Sequence, residues 1–268
     1  MSAVAVSYSV DGQDGAPVVL LSNSLGATRA MWDPQVPALA ERYRVVTYDT
    51  RGHGQSPAPA GPYSIDDLVD DAVALLDEVG AERAHVAGLS LGGMIGMRLA
   101  AREPGRVHRL ALLCTSAKVD PQGFLDRARA ARAEGTATFA PTVVARWLTP
   151  PYAVAHPDLV ARLEAMIAGA DDEGYAACCE VVAGMDLRDD LARITAPTLV
   201  VSAADDPALP PEHQRVIADG VPGAELVTVS PGAHLANLEQ VLPVTGALLG
   251  HFDAAGPGRN ATAAGGAR

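Results

Sequence analysis

Gly88-Leu89-Ser90-Leu91-Gly92 sets a serine between two glycines where an apolar run gives way to a helix-like pattern. A serine hydroxyl is a weak nucleophile at neutral pH and needs a base, which in turn needs an acid to orient it. At a sharp strand-to-helix turn, G-x-S-x-G lifts such a hydroxyl clear of the sheet, and strand and helix then approach too closely for Cβ atoms two residues either side. Gly88 and Gly92 fill those positions, and Gly93 relieves the next contact. Where this turn carries chemistry, an acid and then a histidine follow the serine in chain order. Asp205-Asp206 follows an apolar run ending at Val201-Ser202, and His234 follows the last such run, in Pro231-Gly232-Ala233-His234-Leu235. Asp206 is the preferred acid because it directly precedes Pro207, whereas Asp205 can serve to cap the loop. The backbone N–H of Leu91 and one from the loop around Leu25 are the candidate oxyanion donors. The plain alternative is a glycine-rich turn with an incidental serine, and any single histidine is more often structural than catalytic. The three-part order favours chemistry. His53 belongs to a Gly-His-Gly turn, His85 and His108 begin strands, His156 precedes a proline, His213 lies in a polar helix and His251 sits near the tail. The glycines match neither a dinucleotide fingerprint nor a Walker pattern, and no metal or redox-cofactor motif is present, so no cofactor is expected.

Elements of α/β type position these residues. Val4, Val6, Tyr8 and Val10 alternate with small or polar residues as in a half-exposed strand. Pro17–Leu21, Arg44–Tyr48, the run into Ser90, Val107–Cys114, Pro197–Val201 and Leu226–Val229 read as further strands, several of them continuously apolar as buried parallel strands are. Helices are expected near Pro34–Glu41, after a Ser64/Asp67 cap along Ile65, Leu68, Val69, Ala72, Leu76 and Val79, and after the elbow along Leu91, Met94, Ile95 and Leu99. Pro211–Asp219 and Leu235–Leu249 complete them. The alternation implies a mostly parallel central sheet with helices on both faces. From 119 to 190 the pattern is helical only: an alanine-rich helix carrying Arg127, Arg129 and Arg132, a second over Thr138–Leu148, and a third marked by Leu159, Leu163, Met166 and Ile167. This segment reads as a lid inserted between two parts of the core, 1–118 and 191–252. The alanine- and glycine-rich tail, 253–268, is expected to be disordered.

The 268 residues, 49% hydrophobic, suit one larger globular domain, and a net charge of -12 argues against nucleic acid and anionic membrane as partners. Cys114, Cys178 and Cys179 are an odd number in apolar or small-residue surroundings without metal-ligand spacing, which suits a reducing cytoplasm. Met1 to Val10 has neither a positive n-region nor an apolar core of signal-peptide length, so no signal peptide is expected, and no apolar run approaches membrane length.

From end to end, about residues 2 to 252, the chain resembles the α/β-hydrolase superfamily, and within it the 3-oxoadipate enol-lactonases of aromatic catabolism. The residues that carry the resemblance are Ser22-Asn23-Ser24-Leu25-Gly26, Met31-Trp32-Asp33-Pro34-Gln35, Tyr48-Asp49-Thr50-Arg51-Gly52-His53-Gly54, Gly88 to Met94, Arg146-Trp147-Leu148-Thr149-Pro150 and Gly174 to Cys179. Ala203 departs from it, standing where such enzymes have glycine before the acid loop. The resemblance implies a lactonase acting on a small anionic lactone, with Ser90 as nucleophile, His234 as base and Asp206 holding the imidazolium. The substrate's free carboxylate then requires a cation. Arg146, beside Trp147 whose ring could wall the pocket, is the first candidate, and Arg51 the second. Aryl esterase, cofactor-free perhydrolase and carbon–carbon hydrolase activities stay open, as does a non-catalytic ligand receptor on the same fold.

Overall fold

The computed structural model describes residues 2–254, and the tail expectation falls almost wholly outside them. Seven strands form one sheet: β1 (Tyr8–Asp11), β2 (Val18–Ser22), β3 (Arg44–Tyr48), β4 (Ala84–Leu89), β5 (Val107–Leu113), β6 (Thr198–Ala203) and β7 (Glu225–Val229), in the order β1-β3-β2-β4-β5-β6-β7. All neighbours run parallel except β1, which pairs antiparallel with β3. Every residue of β2, β4 and β6 is buried, as continuous apolar runs covered on both faces require. The chain leaves β2 towards β3 on one side and returns as β4 on the other. The order therefore reverses between β2 and β4, and a crevice opens at their C-terminal ends, where open α/β sheets bind ligands.

Local chemistry explains where the elements start and stop. Ser64 and Asp67 form a reciprocal capping box, Asp67 N–H to Ser64 Oγ at 3.2 Å and Ser64 N–H to the Asp67 carboxylate at 2.8 Å, and the helix runs Ile65–Glu78. β1 starts only at Tyr8, because the Val4 N–H goes to the Asp71 carboxylate at 2.7 Å instead of a strand ladder. The helix expected over Leu235–Leu249 is two helices, Ala236–Glu239 and Val241–Asp253. Pro243 has no N–H to offer the Glu239 carbonyl, so a continuous helix is interrupted there.

Between β5 and β6 the regular structure is helical: Gln122–Glu134, Ala140–Val144, Pro150–Ala155, Pro157–Ala168, Asp172–Gly184 and Arg188–Leu191. The helix expected over Thr138–Leu148 is only the short Ala140–Val144, beyond which the chain runs on as tight turns, Arg146 N–H donating to the Val143 carbonyl at 3.0 Å and Trp147 N–H to the Val144 carbonyl at 2.9 Å. Asp172–Gly184 has no legible stripe, because Gly174 to Cys179 are all buried and small residues face every side. It packs on Gln122–Glu134, where Arg132 bridges Glu173 and Glu180. Its first turn touches the loop after β3. A Cβ on Gly52, at φ +76, would come within 2.6 Å of the Gly174 Cα. Among the described residues Cys114, Cys178 and Cys179 are free and buried, and no helix is long and apolar enough to cross a membrane.

His85 on β4 packs 4.7 Å from His108, 4.9 Å from Phe252 and 5.4 Å from Tyr43, and its Nδ1 has no hydrogen-bond partner. Burial, reinforced by His108, Arg109 and His251 and opposed by Asp253, pushes its pKa down to about 4. Above its ordinary value of 6.5 the ring is neutral in folded and unfolded chains alike; below it the unfolded chain takes up a proton that the folded one refuses. Stability should therefore fall as pH drops from 6.5 towards 4. Urea midpoints of His85→Phe, compared with the parent at both ends of that window, should show a smaller acid loss. An unchanged loss would remove His85 as a cause.

Candidate active site

β4 ends at Leu89, and Ser90 turns the chain at φ 56, ψ -117, before the helix Leu91–Arg102. An L-residue adopts this conformation only when its surroundings enforce it. Ser90 N–H donates to the Leu113 carbonyl of β5 at 3.0 Å, and Thr115 Oγ1 donates to the Ser90 carbonyl at 2.6 Å. A Cβ on Gly88 would lie 2.1 Å from the Gly92 carbonyl oxygen, and one on Gly92 would lie 2.2 Å from that of Ser22. The first contact is the strand-to-helix approach; the second sets the helix against the end of β2.

His234 and Asp206 come from the loops after β7 and β6, and both are buried. The His234 Nδ1–Asp206 Oδ2 separation is 2.9 Å. An ionised carboxylate can only accept, so Nδ1 carries the proton and Nε2 is left as the basic nitrogen. Asp206 Oδ1 accepts from the Ala208 and Leu209 N–H groups at 2.8 and 3.0 Å, which fixes the plane of the carboxylate. Asp205 instead accepts from Gly232 N–H at 3.1 Å and ties the two loops together. The His234 loop is also held from the helical segment. Leu235 N–H donates to the Trp147 carbonyl at 2.8 Å. Buried Glu239 accepts from Ala233 N–H and Thr149 N–H, each at 3.1 Å, and from the Thr149 hydroxyl.

Ser90, His234, Ser24 and Leu25 line one cavity of about 460 Å³, a size that suits a small molecule. Among the described residues, neither the Leu25 nor the Leu91 N–H has a protein acceptor. Leu91 opens a 12-residue helix whose N-terminal dipole favours negative charge. The loop carrying Leu25 is held by His53, whose Nε2 accepts from Gly26 N–H at 2.9 Å while Nδ1 donates to the Arg51 carbonyl at 3.1 Å. Burial lowers the His53 pKa, which keeps the ring in this neutral tautomer. Its place in a Gly-His-Gly turn gave no sign of this role.

The substrate-binding expectations divide. Trp147 is buried and lines the cavity. Arg146 also lines it, from an exposed position with Nη2 donating to the Pro207 carbonyl at 2.6 Å. Arg51 does not line it, and its expected role is corrected. Its side chain is fully enclosed, with Nε and Nη2 on the Asp71 carboxylate at 2.6 and 2.7 Å and Nη2 also on the Asp67 carbonyl. A guanidinium closed on an internal carboxylate has no fork to offer a substrate. Arg127, which sequence reasoning placed only on an alanine-rich helix, lines the cavity.

The chain shares features with several known proteins. A family profile described as alpha/beta hydrolase fold matches residues 17–241. The chain is 37% identical over 238 residues to 3-oxoadipate enol-lactonase 2 of Acinetobacter baylyi, covering 88% of this chain and 89% of the relative. It is 36% identical over 234 residues to RutD of Azorhizobium caulinodans, a protein named for carbamate hydrolysis, with 85% and 87% covered. The crystal structure of the enol-lactonase from Burkholderia xenovorans superposes with a TM-score of 0.90 at 39% identity, covering 92% of this chain and 96% of that one.

Two outcomes follow from this geometry. Asp206→Asn should lower kcat by roughly 10³–10⁴-fold, because an amide in place of the carboxylate favours the wrong imidazole tautomer. Asp205→Asn should cost only about 1 kcal/mol of stability. Equal kinetic losses in the two variants would show that Asp206 has no special place. Arg51→Ala strands the buried Asp71 carboxylate and should cost about 3–5 kcal/mol in denaturant unfolding. A variant of parental stability with raised KM would contradict the burial argument.

Proposed function

We propose a specific reaction from one premise: the chain belongs to the α/β-hydrolase family, and within it is a hydrolase of lactones or esters. The reaction is the opening of 3-oxoadipate enol-lactone to 3-oxoadipate in aromatic catabolism, in a cytoplasmic setting, with Ser90 as nucleophile. The observation that carries the reading is convergence: Ser90 at its strained turn, His234 with Nδ1 pinned by Asp206, and Leu25 with a free N–H meet one small cavity.

Ser90 Oγ attacks the lactone carbonyl carbon as His234 Nε2 takes its proton. The oxyanion is received by the Leu25 and Leu91 N–H groups. Collapse breaks the ring C–O bond and expels an enolate that stays tethered to the acyl chain, so no fragment departs. Asp206 stabilises the imidazolium meanwhile. The proton passes to the enolate, which becomes the ketone after tautomerisation. Water then attacks the acyl-enzyme, His234 takes its proton and returns it to Ser90 Oγ, and the keto diacid leaves; one water is consumed. An enolate is a better leaving group than an alkoxide, so the base role of His234 outweighs its acid role.

A carbamate reading has RutD behind it. The two part on a substrate panel containing the enol-lactone, neutral aryl esters and a small carbamate, scored by lactone absorbance, released phenol and released ammonia. The lactone should give the highest kcat/KM; carbamate turnover exceeding it would reverse the assignment. Ser90→Ala and His234→Ala should each lower turnover by roughly 10⁴-fold or more. Near-parental rates in a folded Ser90→Ala protein would end the nucleophile assignment.

A further inference from the structure

We propose that Arg127 forms an anion subsite in this cavity, selecting acyl substrates that carry a free carboxylate a short chain away from the reacting carbonyl. The proposal rests on the reading of Ser90 as the nucleophile.

The cavity is lined by two arginines, Arg127 and Arg146, and neither is paired with a carboxylate among the described residues. Their situations differ. Arg146 sits at the exposed rim and is already engaged with the Pro207 carbonyl. Arg127 is half-buried on the inner side of Gln122–Glu134, and its one protein acceptor among the described residues is the Tyr175 hydroxyl, at a long 3.4 Å from Nη1. Nε and Nη2 have none. Other arginines of the same helix behave otherwise: Arg129 pairs with Asp126, and Arg132 with Glu173 and Glu180. Asp120 also lines the cavity, but its carboxylate accepts from Gln122 N–H at 3.0 Å, at the start of the helix.

A guanidinium stays charged at any accessible pH, so Arg127 cannot relieve its position by losing a proton. A partly buried charge without a counter-ion is costly, and here 32 acidic residues were available to pair with it. What the position does provide is orientation. The Arg127 guanidinium lies 4.7 Å from the Phe124 ring centroid, which leaves its planar edge for a bidentate partner. The Tyr175 ring it touches is also the wall beneath the oxyanion loop, since a Cβ on Gly26 would come within 3.2 Å of Tyr175 Cε2. The anion subsite and the loop that carries Leu25 thus flank a common side chain, with apolar Phe139 and Val143 lining the same cavity. That combination suits a short methylene chain with a carbonyl at one end and a carboxylate at the other.

The test compares 4-nitrophenyl butanoate with the 4-nitrophenyl monoester of glutaric acid, which adds a terminal carboxylate. The quantity read is the ratio of their kcat/KM values. The parent should favour the carboxylate ester, and Arg127→Gln should lower the ratio about 10- to 100-fold, mainly through KM. Arg127→Lys should recover part of the loss, and Arg146→Gln should move the ratio less. An unchanged ratio in a folded Arg127→Gln protein, or a larger effect from Arg146→Gln, overturns the proposal. Calorimetric binding of adipate to Ser90→Ala gives a readout without turnover: adding Arg127→Gln should weaken it at least about tenfold, and equal binding overturns the subsite. A ratio that collapses in an enzyme inert towards the enol-lactone upholds the subsite and removes the lactone assignment. Lactone turnover with an unmoved ratio does the reverse.

Discussion

Ser90 can hold φ 56, ψ -117 only because three glycines let its surroundings close in. Gly88 lets the Leu91–Arg102 helix start directly over the strand, Gly92 lets that helix lean on the end of β2, and Gly93 makes room for Thr115 after β5. In return the neighbours supply hydrogen bonds to both the amide and the carbonyl of the serine. The strain is thus carried by the three central strands rather than by the turn alone. The same crowding brings Ser90 beside the Leu25 loop, at the point where strand order reverses. The positions of Ser90 and of the Leu25 loop are therefore consequences of one packing arrangement.

The second level of organisation is polar. The helical segment over the cavity is joined to the core through groups that also locate the His234 loop and the Leu25 loop. Glu239 links Thr149 to the turn before His234, and the Trp147 carbonyl receives the amide after it. On the other side, Asp171 N–H donates to the Gly52 carbonyl at 3.1 Å, and His53, one residue on, holds Gly26. Movement of the segment would disturb His234 on one side and the Leu25 loop on the other. Buried networks of this kind are sensitive because each unsatisfied member is expensive in a low-dielectric interior.

Charge is used with the same economy. The protein is strongly acidic overall, yet its cavity is lined by two arginines and its most deeply buried arginine is neutralised internally by Asp71. Net charge sets the long-range field, whereas recognition of a small anion depends on the local cation and its freedom from internal partners.

Much of this was legible in the residues alone. The elbow, the serine-acid-histidine order and the buried strands are written in spacing and composition, because a G-x-S-x-G turn and a continuous apolar run each have few physical solutions. Asp206 could be preferred to Asp205 from the proline that follows it, and the structure places Asp206 on His234. The bounds of the helices past 140 were less legible: the chain after Val144 continues as tight turns rather than helix, and Gly174 to Cys179 are buried on every side, so Asp172–Gly184 lacks the one-sided stripe that identifies a helix. The roles of the arginines and of His53 were decided only in three dimensions. A long guanidinium side chain at a given spacing is compatible with a salt bridge, a solvated face or a ligand site, and its partner comes from elsewhere in the chain. Asp71 claims Arg51, acidic neighbours claim Arg129 and Arg132, and no carboxylate of the described chain claims Arg127. Sequence determined which groups could react and on what fold; tertiary packing decided which charges were left without an internal carboxylate partner.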